Sequence, residues 1–75
     1  MNTAFEVTPD DVLVVMANHQ KTVTREQADK LFDAHISLAA DEIEEAALHG
    51  NDMDEQTSFA HDKITELLTE VGVLP

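Results

Sequence analysis

Between Thr24 and His49 nothing in the sequence stops a helix, and Gly50 is the first residue that does. Thr24-Arg25-Glu26-Gln27 sets a Thr at the cap and a Gln three residues on. This is a capping box, in which each end satisfies an otherwise orphaned backbone donor of the other. Gly50 suits the position just past a helix C-terminus. The spacing predicts one long helix over 25–49, about 37 Å at ~1.5 Å per residue.

Two shorter segments flank this rod. Thr8-Pro9-Asp10-Asp11 offers an N-cap, a proline for the first helical position and two acids for the positive helix end. The run Val12-Leu13-Val14-Val15 is β-branched enough for a strand, but the cap and proline decide for a helix over about 9–19. His19 to Val23 reads as a short polar turn. After Gly50-Asn51, Asp52 is the expected cap of a third helix over about 53–71, with Glu55 at its third position and Gly72 at its end. Val73, Leu74 and Pro75 form an apolar tail. No strand alternation, internal repeat or low-complexity segment is present. The chain reads as one all-α, three-helix acidic domain over 1–75, with residues 1–7 a loose arm.

Side chains advance about 100° per residue on a helix, so spacing assigns faces. On the long helix Ala28, Leu31, Phe32, His35, Ile36, Leu38, Ala39, Ile43 and Ala46 share one side. Phe32, Ile36, Ala39, Ile43 and Ala46 step by 4, 3, 4, 3, a short coiled-coil-like seam. In the third helix Ala60, Ile64, Leu67, Val71 and Leu74 repeat that step, with Leu68 widening the stripe. The short connection predicts that the two helices pack as an antiparallel hairpin, with the first helix covering one side. Phe32, Ile36, Ala39, Ile43, Ile64, Leu67 and Val71 are the expected core or dimer seam. A chain this short buries only about 60% of its unfolded surface, and such a core supplies about 3–5 kcal/mol. With no cysteine there is no disulfide to add, so a homodimer is expected.

The charge is lopsided: 16 acids, 4 Lys or Arg, and a formal net charge of −12. Affinity for phosphate comes from Lys and Arg, so direct binding to nucleic acid or an anionic membrane is not expected. The longest apolar run, Val12 to Ala17, is six residues, against about 20 for a membrane span. The first residues carry neither the basic nor the apolar region of a signal peptide, and a cytoplasmic location is expected.

Between Lys30 and Lys63 there are nine acids and no Lys or Arg. They gather in Asp41-Glu42-x-Glu44-Glu45 and Asp52-x-Asp54-Glu55, either side of the turn at Gly50. Like charges this close on a helix repel by a few tenths of a kcal/mol per pair. The second cluster gains from a helix N-terminus. The first falls in the negative half of the long helix and gains nothing there, which points to a partner. The alternative is a solvated face. Phe59 lies on the outer side of the third helix beside Glu55, Asp62, Lys63 and Glu66, either as an anchor for a partner or packed on the first helix. Glu42, an acid on the apolar side, faces Lys63 or a second subunit.

Other chemistry is weakly supported. From Asp52 a calcium loop would need Gly where Thr57 stands and Glu where Lys63 stands. His19 and His49 suit helix C-termini, His35 an apolar face, and His61 a stripe edge. Glu45 and His49, one turn apart, make only a two-ligand pair. There is no phosphate loop or nucleophile elbow, and Ser37 and Ser58 have no evident triad. The expectation is a non-enzymatic chain with no cofactor, no metal and no catalytic residue.

The expected partner is a basic protein surface, such as that of a nucleic-acid-binding protein. A rod of carboxylates presents a field comparable to DNA, with about one charge per 1.7 Å of axis, and would be drawn to the same groove. Small phage-type inhibitors of restriction or CRISPR effectors act as DNA mimics in this way. The expected contacts are Asp41, Glu42, Glu44, Glu45, Asp52, Asp54, Glu55 and Phe59. The alternative is a small homodimeric adaptor or assembly protein acting through its apolar seam.

Overall fold

The computed structural model describes residues 5–75, and those residues form helices and connections with no strand. Helix α1 is Pro9–Asn18, α2 is Arg25–Leu31, α3 is Ala40–Ala47 and α4 is Met53–Glu70. Between α2 and α3 the chain stays helical but irregular, with a π-helical turn at Phe32–Ile36 and a 3-10 turn at Ser37–Ala39.

That irregularity corrects the expectation of one unbroken helix over 25–49. It is centred on Ser37. The Ser37 N–H bonds back to the Phe32 carbonyl, five residues earlier. The Asp33 carbonyl, left over, accepts the Ser37 hydroxyl at 3.3 Å. Such a hydroxyl bond often accompanies a bend but does not make one alone, since Thr65 and Thr69 bond the carbonyls four residues back at 2.8 and 2.7 Å within the unbroken α4. Packing favours the same break. Ala28, Phe32, Ile36 and Ala40 lie four apart and are buried or half-buried. On an ideal α-helix three steps of four drift by about 120°, and the wider i→i+5 turn absorbs that drift. At Ala39 the backbone leaves helical geometry, with φ −111 and ψ 16, before α3 begins.

The break rotates the downstream face. Ala47 is fully buried where the seam predicts Ala46, and Leu38, expected on the apolar side, is 79% exposed. The bend also divides the packing, with α2 against α1 and α3 against α4.

The core contains Val12, Val15, Met16, Ala28, Ile36, Ile43, Ala47, Ala60, Ile64, Leu68 and Leu74. In α4 the buried line runs Ala60, Ile64, Leu68 in steps of four. Of the expected seam, Ile36, Ala39, Ile43 and Ile64 are buried, Phe32 and Leu67 are half-buried, and Val71 is exposed.

Phe5 and Val7 belong to this core, each 6% exposed. For residues 5–7 this corrects the loose arm, and residues 1–4 lie outside the described residues. In so small a core an aromatic ring supplies a large share of the buried area. The Val7 N–H is also held, donating to the Glu44 carboxylate at 3.3 Å.

A candidate acidic groove between two helices

The eight predicted contact residues do not behave alike. Asp52 and Glu55 build the start of α4. The Glu55 N–H donates to Asp52 Oδ1 at 2.9 Å, and the Glu55 carboxylate accepts the Asn51 N–H at 2.8 Å. Glu44 is half-buried and occupied with Val7. These three acids have structural duties. Asp41, Glu42, Glu45 and Asp54 are exposed, and none of them is in an ion pair among the described residues.

The helix break changes the electrostatics of the first cluster. Asp41 and Glu42 lie in the first turn of α3, at the positive end of its dipole. The sequence reading, which puts them in the negative half of a long helix, is corrected on this point. Of the exposed acids on α3, only Glu45 is without that support.

Beside these acids a shallow groove of about 340 Å³ is lined by Ala46, His49, Phe59, Asp62, Lys63 and Glu66. It continues into a second hollow of about 400 Å³ that shares Ala46, His49 and Lys63 and adds Glu42 and Glu45. The two together run between α3 and α4. Phe59 is 38% exposed here, a ring among carboxylates. Lys63 Nζ donates to Glu66 Oε1 at 2.9 Å. That hydrogen bond, the charge of Glu66 and, more weakly, those of Glu42 and Glu70 hold the Lys63 ammonium above the ordinary lysine range. The potential in this part of the groove therefore favours positive charge.

The spacing of residues 11 and 61 carries no signal of the pair they form. His61 Nε2 lies 2.9 Å from Asp11 Oδ1, both side chains 16% exposed. Asp11 also accepts the Thr8 N–H at 2.8 Å through its other oxygen. One carboxylate thus caps α1 and ties it to α4. At the far side Arg25 meets Asp10 at 2.7 Å, with both side chains mostly exposed, a pair worth little.

Among the described residues, no three His, Asp or Glu side chains gather as a metal site, and no helix is long and apolar enough to cross a membrane. No protein-family model, no curated protein and no solved structure matches this chain.

Proposed function

We propose that the chain is a non-catalytic protein-binding module whose acidic side, Asp41, Glu42, Glu45 and Asp54 together with the groove at Phe59, occupies a basic surface of a partner. A nucleic-acid-binding protein is the expected kind of partner, and inhibition by DNA mimicry is the expected effect. The observation that carries the reading is the groove. It joins an exposed aromatic ring to acids of two helices, with Lys63 the sole Lys or Arg lining it. A merely solvated face needs carboxylates but no exposed ring among them. Opposite fields steer encounter and select partners, so binding of this kind weakens as salt rises.

The test is capture from a cell extract on immobilised protein, eluted by rising salt. The expected catch is a nucleic-acid-binding protein released at moderate salt and displaced by duplex DNA. Replacing Asp41, Glu42 and Glu45 by Lys abolishes capture while leaving the circular dichroism spectrum unchanged. Capture that survives those three reversals overturns the reading.

A second reading keeps the homodimeric adaptor, built on the α3–α4 hairpin. It is favoured by Val14, Leu38, Leu48, Met53 and Val71, which stay exposed at 45–79%. Its seam would have to draw on some of these exposed residues, since Ile36, Ile43 and Ile64 are fully buried within the chain. An apolar contact holds at high salt. Sedimentation at several concentrations, in low and high salt, separates the two readings.

A further inference from the structure

We propose that the groove between α3 and α4 is a seat for one arginine side chain of a partner protein, with the guanidinium on the Phe59 ring, its fork met by the Asp62 carboxylate in the same hollow, and Glu42 and Glu45 adding negative charge from the adjoining one. This rests on the reading of the acidic side as a protein-binding surface, and names the side chain that surface takes.

Charge and shape select the occupant. Four carboxylates line the two hollows, those of Glu42, Glu45, Asp62 and Glu66, against one ammonium. That ammonium is already engaged by Glu66 at 2.9 Å, so three carboxylates remain for an incoming cation, Asp62 beside the ring and Glu42 and Glu45 in the adjoining hollow. Phe59 supplies an exposed ring face, and the small side chain of Ala46 leaves room beside it. Lys63, held by Glu66, shows that the groove tolerates a long cationic side chain along its wall.

Arginine fits better than lysine for three reasons. Its guanidinium is planar, more weakly hydrated than an ammonium, and forked so as to meet two carboxylate oxygens at once. It also stacks on an aromatic face, which a compact ammonium does less well. An acidic surface without the ring would keep only the part of that preference that the fork supplies.

The test titrates the full chain with hexa-arginine and with hexalysine at low salt, following backbone amide signals by NMR. The expected result has hexa-arginine shifting the signals of Ala46, His49, Phe59 and Lys63, and binding about fivefold tighter than hexalysine. Phe59→Ala lowers the preference and weakens hexa-arginine more than hexalysine. Because that variant loses buried ring surface, a second one carries the same test. Glu45→Gln with Asp62→Asn, both at exposed positions, weakens hexa-arginine more than hexalysine. Equal affinity for the two peptides, a preference undiminished in Phe59→Ala, or shifts spread over every carboxylate each overturn the seat. The broader acidic reading is judged separately, by the capture experiment, and stands or falls there.

Discussion

Two helix starts carry acids of the expected contact surface, and they are built differently. At α4 the capping acid is present: Asp52 accepts the Glu55 N–H, and Glu55 returns its carboxylate to the Asn51 N–H. At α3 the preceding residue is Ala39, which has no side-chain acceptor. That start exists because the helix is interrupted upstream, where Ser37 takes its backbone bond from Phe32. Both starts put acids in a first turn, Asp41 and Glu42 in one, Asp54 and Glu55 in the other. A helix end that supports negative charge can come from a capping residue or from a break in a longer helix. Only the first leaves a residue signature.

The largest expected effect comes from the connection that joins the two regions. A Cβ on Gly50 would lie 2.5 Å from the Gln56 nitrogen and 2.8 Å from the Glu55 carbonyl carbon. Both are backbone atoms, so no side chain can turn away. Gly50→Ala must push the first turn of α4 off α3, at a cost of about 3 kcal/mol. That approaches the ~3–5 kcal/mol a domain of this size holds. Thermal unfolding followed by circular dichroism should show a midpoint lowered by roughly 12–24 °C, and an unchanged midpoint would mean that the close approach does not exist. Next in size is Asp52→Ala, which removes the one side-chain cap at α4 and should cost about 1 kcal/mol in urea unfolding. Asp52→Asn keeps a capping oxygen and should recover most of that loss. If Ala and Asn behaved alike, the acid would be acting through charge and not as a cap.

Legibility followed the same division. The cap at Thr8, the capping box at Thr24, the cap at Asp52 and the stop at Gly72 all lie at residues whose chemistry announces them. Gly72, with φ 84, closes α4 by two bonds, its own N–H to the Thr69 carbonyl and the Val73 N–H to the Leu68 carbonyl. The same pair of bonds closes α1, from Gln20 to Ala17 and from Lys21 to Met16, with Gln20 itself at φ 63. There the fold holds a side-chain-bearing residue in a conformation that favours glycine, and the sequence carries no sign of it. The break at Ser37 had a faint signal, a serine inside an otherwise continuous helical pattern. Its consequence, the rotation that exposes Leu38 and buries Ala47, depends on how the bent halves pack against α1 and α4. Burial of Phe5 and Val7 was equally hidden, because two apolar residues before a cap show no periodicity. For the candidate groove, the residues that line it were legible as acids and a stray ring. Their meeting across α3 and α4 was not, since it depends on the register set by the break.

The smallest effect tests the hidden helix start itself. Asp41 and Glu45 lie one turn apart, so neutralising either one relieves the same mutual repulsion, a few tenths of a kcal/mol. They differ in where they stand on α3, Asp41 in the first turn and Glu45 in the last. The dipole favours an acid at the first position and disfavours one at the second. Glu45→Gln should therefore raise stability. Asp41→Asn loses dipole support as it relieves repulsion, and should leave stability level or lower. The expected gap between the two variants is about 0.5 kcal/mol at low salt, read from urea unfolding. In roughly 1 M salt the gap should close, because both terms are screened. On an unbroken helix over 25–49 both residues would lie in the negative half, and the two changes would shift stability equally and upward. Equal shifts would return Asp41 and Glu42 to an unsupported position and remove the distinction between the two acidic helix starts.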